Sequence, residues 1–176
     1  MILMGDSDGA YLVAPKAQSR AGGYHYCGNK DGKLWNAPVL VIAKILQNVM
    51  SSAAETEIGS LFKNAQELLP LQTALIEMGH PQPATPLQTD NSTANGILNS
   101  TVKQQCSKVI DMQFYWLKDC VNQGQFNIFW SPGNTNVADY FTKKHPATHH
   151  KKVRPIYLHM PNSPKTLQGC ARILAQ

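Results

Sequence analysis

The chain has 176 residues, 43% hydrophobic and 15% charged, which suits one domain with a real core plus an appendage. No apolar run approaches the ~20 residues of a membrane span, and the start Met1-Ile2-Leu3-Met4-Gly5-Asp6 lacks the charged and apolar regions of a signal peptide. The net charge of +5 is unevenly spread: residues 1–142 hold nine Lys/Arg and all 11 acids, whereas residues 143–176 hold seven Lys/Arg and no acid. The tail therefore reads as an electrostatic handle for a polyanion, as a solvated disordered terminus, or as both. The four cysteines, Cys27, Cys106, Cys120 and Cys170, are widely separated and form no Cys-x-x-Cys pair, so reduced thiols are expected rather than a zinc site or disulfide framework. Asn91-Ser92-Thr93 and Asn99-Ser100-Thr101 match the glycosylation pattern by chance on this reading, since no secretion signal accompanies them.

Residues 2–13 read as a strand ending in a loop, with Asp6 and Asp8 sharing the parity of Met4. Lys16 to Ala21 is polar and loop-like. Gly22 to Cys27 is a short aromatic strand, and Gly28-Asn29-Lys30-Asp31-Gly32 carries hairpin turn chemistry. Ala37 to Ala43 is a β-branched third strand, with Pro38 near its start where a missing N–H is tolerated. Ser51-Ser52 caps a helix in which Ile58, Leu61, Phe62, Ala65, Leu68 and Leu69 recur at helical spacing. Pro70 is expected to kink or break it, and Gly79 to stop it.

A proline-rich loop over 80–86 leads into a short strand at Leu87–Asp90 and a small helix at Ser92–Leu98. Cys106 to Val121 is a strong helix, with Ile110, Phe114, Leu117 and Val121 on one stripe and Val109, Met112, Trp116 and Cys120 beside it. Phe126–Trp130 is a strand, Ser131–Asn134 a turn, and Thr135–Lys144 a short helix carrying Asp139. Trp116 and Trp130 read as core by periodicity rather than as base-stacking platforms. The order is three strands, helix, strand, helix, strand, helix, with no internal repeat.

Among so few acids, carboxylates at element ends stand out. Asp8, Glu57, Asp90 and Asp139 occupy four such settings, and an Asp-Glu-Asp-Asp set on a mixed sheet is what two-metal phosphodiester chemistry needs. Hard divalent ions take oxygen ligands and keep waters. Each acid also has a plainer role open to it: a loop cap for Asp8, helix-dipole compensation for Glu57, a helix cap for Asp90, a solvated helix position for Asp139. Asp111, beside Lys108, reads as structural.

Six stretches carry a resemblance: Ser7-Asp8-Gly9-Ala10-Tyr11, Ser19-Arg20-Ala21-Gly22-Gly23-Tyr24, Ser51 to Ile58, Thr89-Asp90-Asn91-Ser92, Ser107 to Met112, and Val137 to Lys143. In this order, across about residues 3–144, they resemble the ribonuclease H domain of copia-type retrotransposon Pol polyproteins. Singly each stretch is weak; it is the six in order that carry the likeness. The resemblance implies an α/β, RNase H-like fold, a five-stranded mixed sheet flanked by helices, over residues 1–144, with 145–176 as a basic extension. It implies cleavage of the RNA strand of an RNA–DNA hybrid with Mg²⁺ or Mn²⁺, two ions being expected. Asp8, Glu57, Asp90 and Asp139 match the metal-holding catalytic positions, with Asp6 and Glu55 as runners-up for the first two. Hybrid selectivity would come from 2′-OH contacts and duplex shape, with Gln88, Asn91 and Ser92 as candidate contacts and ordinary turn hydrogen bonding as their other reading. The implied partners are the hybrid and the reverse-transcriptase portion of a parent polyprotein. The implied setting is intracellular, a cytoplasmic particle or the nucleus, neither secreted nor in a membrane.

The chain departs from the family at two points. The loop Ser131-Pro132-Gly133-Asn134 has no histidine before the last acid, where cellular ribonucleases H often carry one and copia-type chains commonly do not, and Val109 stands where copia-type chains usually have a histidine. Without reverse-transcriptase and integrase portions, the expectation is a fragment or stand-alone remnant. His145, His149, His150 and His159 lie among lysines, a setting too basic to favour a cation and better suited to phosphate contact or solvent. The competing readings are an inactive nucleic-acid-binding remnant and a transposase or integrase core. The early glutamate in the first helix argues against the latter.

Overall fold

A long antiparallel hairpin builds the centre of the sheet. The computed structural model describes residues 1–29, 38–99 and 111–158. Strand β1 (Ile2–Ala14) folds back through a 3₁₀ turn at Pro15–Ala17 onto β2 (Gln18–Gly28), in a register that sets Asp6 opposite Tyr24 and Asp8 opposite Gly22. Strand β3 (Leu40–Ile45) pairs antiparallel with β2, while β4 (Thr85–Thr89) and β5 (Phe126–Trp130) add in parallel on the other side of β1. The sheet is five-stranded and mixed, in the order β3-β2-β1-β4-β5. Parallel pairing requires crossovers, and helices supply them.

Helix α1 (Ala53–Glu77) starts where the sequence predicts, because Ser52 Oγ accepts from the Glu55 N–H (3.2 Å) and Glu55 Oε2 accepts from the Ser51 N–H (2.7 Å). Ile58, Leu61, Ala65 and Leu68 are buried against the sheet, each large side chain contributing about 1.5–3 kcal/mol. Asn64 ties the helix down: its Nδ2 donates to Ser7 Oγ (3.1 Å), Gly22 O (3.0 Å) and Ser60 O (2.9 Å). The expected break at Pro70 does not occur; α1 runs through it. Packing overrides the lost N–H, since Leu68 is fully buried just before the proline and buried Gln72 bonds Pro83 O and Gln125 O just after it. Gly79, at φ +86°, ends the helix region as expected.

Helix α2 (Ser92–Leu98) is capped by Asn91, whose Oδ1 accepts from the Ala94 N–H (3.0 Å). Helix α3 is described from Asp111 to Asn122; its expected start at Cys106 and the position of Val109 lie outside the described residues. Phe114, Leu117 and Cys120 join the core, while Met112, expected beside the stripe, faces solvent. The turn expected at 28–32 falls largely outside the described residues. Strand β3 begins at Leu40 among the described residues, with Pro38, which has no N–H to give a ladder, ahead of it; the expected start at Ala37 lies outside the described residues. Strand β2 begins earlier than expected: Ser19 and Arg20 belong to it, not to a loop. Trp130, expected in the core, is 48% exposed; it has the parity of Phe126 and Ile128 but sits at the last position of an edge strand, past the packed residues.

The single helix expected at 135–144 is two pieces. A 3₁₀ turn covers Gly133–Thr135, and α4 is only Asp139–Thr142. Asn136 divides them: it is extended, its Nδ2 donates to Ser7 O (2.8 Å), and its Oδ1 accepts from the Ala138 N–H (3.0 Å). Residues 147–157 form α5 (Ala147–Tyr157), which has no buried residue and touches the sheet through Tyr157 at its end. Tyr157 meets Tyr24 and Phe141 edge-on (5.5 and 5.2 Å), stacks on Tyr140 (4.7 Å) and donates to Val137 O (2.7 Å). Among the described residues no helix is long and apolar enough to cross a membrane.

Candidate metal and phosphodiester site

The alternation of β1 sorts its residues onto two faces. Ser7 points to α1, where its Oγ donates to Ser60 Oγ (3.2 Å). Asp6 and Asp8 point to the face covered by α4 and α5. Asp8 accepts a short hydrogen bond from Thr142 Oγ1, which reaches it because Gly22, opposite Asp8, has no side chain. A Cβ at Gly22 would lie 2.6 Å from Thr142 Cγ2 and 2.8 Å from Ala138 O.

Glu57 arrives from the first turn of α1. Its Oε1 accepts from the Gly9 N–H (2.9 Å) and its Oε2 from Thr89 Oγ1 (3.2 Å). That close approach also depends on a bare backbone, since a Cβ at Gly9 would lie 2.8 Å from Thr56 O. Asp90 follows the last residue of β4, and Trp130 Nε1 donates to its carbonyl (3.0 Å). Asp8, Glu57 and Asp90 thus meet beside the parallel β1–β4 pair, each offering an oxygen within 4.8 Å of the others. Ligand sites favour such switch points in a sheet.

Asp139, the fourth predicted acid, is not in this trio. It sits at the rim, half-buried, with its carboxylate held by Lys143 one helical turn later. Its charge still acts on Asp8 and Asp90. The two runners-up are engaged elsewhere. Glu55 is spent on capping α1, and Asp6 lies among Tyr24, Tyr26 and Tyr157. Of the candidate substrate contacts, Asn91 caps α2 with its side chain, and Gln88 is buried with its amide on Thr135 Oγ1 (3.4 Å).

The electrostatics follow from crowding acids into a poorly hydrated place. Burial, then the Asp8 charge, push the Glu57 carboxyl up to about 8. Burial raises Asp8 as well, with Asp139 and Asp90 adding to it and the Thr142 bond and Lys143 opposing. Asp90 is raised by burial against the pull of Lys143. Burial takes Asp6 to about 7, offset in part by the Val137 N–H. Partial burial works against the Lys143 ammonium, but Asp139, Asp8 and Asp90 outweigh it and hold its pKa high. Three hard oxygen donors that repel one another could hold a divalent cation, with Asp8, Glu57 and Asp90 as its ligands.

Sequence reasoning missed Thr142 and Lys143 as neighbours of the acids. Both follow Asp139 in the Val137–Lys143 stretch, so proximity in sequence was the available signal. Asn136 and Gly22 were missed too, and only the fold reveals their partners.

Neither a protein-family profile nor a curated protein sequence matches this chain. Solved structures do. The chain is similar to the N-terminal RNase H domain of a Mycobacterium tuberculosis protein, solved as a fusion with maltose-binding protein, at TM-score 0.57 and 11% identity over 80% of this chain and 95% of that one. It is similar to LC11-RNase H1, isolated from compost by a metagenomic approach, at TM-score 0.58 and 11% identity, covering 79% and 91%. That enzyme has also been solved in complex with an RNA/DNA hybrid. RNase H1 from the halophilic archaeon Halobacterium salinarum matches at TM-score 0.51 and 15% identity, covering 80% and 94%. The chain therefore has an RNase H-like fold, as its six sequence stretches imply.

Proposed function

We propose that this protein is a divalent-metal-dependent endonuclease of the ribonuclease H type, cutting the RNA strand of RNA–DNA hybrids. The observation that carries the reading is the convergence of Asp8, Glu57 and Asp90 from three separate elements of an RNase H-like fold. Bound divalent ions, two by expectation, would supply charge stabilisation at the phosphate and activation of the attacking water.

The chain's own residues have separable tasks. Asp8, on the rigid central strand, and Glu57 and Asp90 beside it hold the ions. Thr142 orients the Asp8 carboxylate, and Gly9 and Thr89 orient that of Glu57. Asp139, at the rim with Lys143, completes the acid set from the open side. A 2′-OH-bearing strand is chosen by shape and sugar contacts rather than base edges. The six ordered sequence stretches support an origin in a copia-type retrotransposon Pol polyprotein. On that origin, a reverse-transcriptase portion is the natural partner and the cell interior the natural setting.

A labelled hybrid incubated with Mg²⁺ or Mn²⁺ tests the activity. Cleavage confined to the RNA strand is expected, and Asp8→Asn or Asp90→Asn should lower its rate on the order of 10³-fold or more. Tight hybrid binding by the wild-type protein with no cleavage in either metal would instead leave an inactive binding remnant.

A further inference from the structure

One cleft next to the acids shares Thr142 and Lys143 with them, Lys143 being paired with Asp139, but adds Arg20 and Lys144, which pair with no acid among the described residues. It has a volume of about 420 Å³ and is lined by Val13, Arg20, Thr142, Lys143 and Lys144. Three of the five lining residues are cations and none is an acid. Arg20 is opposite Ala10, on the same face of the hairpin as Asp8 and one pleat nearer its tip, roughly 7 Å along the strand. Its Nε is shielded from solvent yet has no hydrogen-bond partner among the described residues.

The walls of the cleft fix its relation to the acid trio. Thr142 lines the cleft and also donates to Asp8, so a single side chain separates the two. Lys144 is exposed. The remaining wall comes from the hairpin, whose register shifts between Ala10 and Ala14, with Leu12 at φ +53°. A non-glycine residue there carries strain of the kind retained at binding sites. That irregularity leaves Val13 46% exposed at the cleft mouth.

We propose that the Arg20–Lys143–Lys144 cleft is a subsite for a backbone phosphate of the nucleic-acid strand, seating a nucleotide adjacent to the one held at Asp8, Glu57 and Asp90. Guanidinium and ammonium groups on one small concave surface match a phosphate diester, Arg20 as a fork and Lys144 as a mobile point charge. A strand passing from the acids over Thr142 meets this cleft next. The identity of that strand as part of an RNA–DNA hybrid rests on the nuclease reading above.

The test is hybrid binding by fluorescence anisotropy across a salt series, with divalent ions withheld so that nothing is cut. For Arg20→Gln/Lys144→Gln the slope of log affinity against log salt should shrink by about 2, with at least a tenfold weaker affinity near physiological salt. Lys63→Gln, on α1 across the sheet, should leave the slope alone. A double-variant slope equal to wild type overturns the subsite. Should Arg20→Gln disturb folding, Lys144→Gln alone decides, with an expected change of about 1 and no change refuting it. Nicking assays separate the two proposals. Nicks with an unchanged slope sink the subsite alone, no nicks with a reduced slope sink the nuclease reading alone, and no binding by wild type sinks both.

Discussion

Glu57 is the residue under most electrostatic tension. Its carboxyl, raised to about 8, and that of Asp6, raised to about 7, both hold a proton more tightly in the folded chain than in the unfolded one. Stability from such groups is complete below the unfolded carboxyl pKa and is lost as pH climbs through the folded one. His25 works the other way. Burial lowers it to about 4, so the fold gains from its deprotonation as pH rises, a gain complete by about 6.5. Between pH 6.5 and 8 the carboxyls act alone. The melting temperature of metal-free protein should therefore fall over that interval, and Mg²⁺ or Mn²⁺ should restore it. Glu57→Gln should flatten the metal-free curve, gaining about 2–4 °C for each kcal/mol recovered at pH 8. A flat wild-type curve, read by differential scanning fluorimetry, would mean that Glu57 is already relieved by other means. At this scale the sequence pointed to Asp8, Glu57 and Asp90 because acids are few and each of the three sits in one of the six stretches; the structure places Asp8 inside β1 rather than at its end. It could not separate Asp8 from Asp6, since two residues along a strand keep one face, or Glu57 from Glu55, since both stand near the start of one helix.

Helix α1 is the element that most defies its own sequence. Pro70 lies exposed in its interior without ending it. A proline there forfeits an N–H bond and costs up to about 3 kcal/mol relative to alanine. Pro70→Ala should accordingly stabilise the protein, by about 1–3 kcal/mol, with the urea midpoint rising and the slope unchanged. A lower midpoint would show the ring to be packed to advantage. Helix α5 makes the opposite case: nothing in its periodicity announced it, and aromatic contacts anchor its end. Tyr157→Ala removes the Tyr140 stack and the Val137 bond, and should cost about 2–3 kcal/mol and open residues after 146 to limited proteolysis. Strands β2, β3 and β5 were legible because β-branched and aromatic runs alternate with turn residues; β4 rested on Leu87 alone, and its Thr85 and Pro86 read as loop. The splitting of 135–144 by Asn136 was not legible, because its cause is an acceptor on Ser7, far off in sequence.

Across the whole molecule, charge is divided by place as well as by sequence. Asp8, Glu57 and Asp90 gather beside the middle of β1 with Lys143 near them, whereas Lys151, Lys152 and Arg154 lie on α5. If α5 extends the nucleic-acid footprint, Lys151→Gln/Lys152→Gln should reduce the salt slope of hybrid binding by about 2. An unchanged slope would leave α5 with a purely structural task. The parting of charge was plain in the sequence; the contact of Tyr157, at the end of α5, with Tyr24 of β2 was not.

The bond from Thr142 to Asp8 spans 134 positions of the chain. Translation at about 5–20 residues per second therefore puts roughly 7–27 s between the two partners. Until the later one emerges, the first strand waits without the hydroxyl that orients its carboxylate. Closing so distant a pair is slow and comes late. A chain cut short before α4 thus carries all three converging acids but lacks the hydroxyl that orients the first of them.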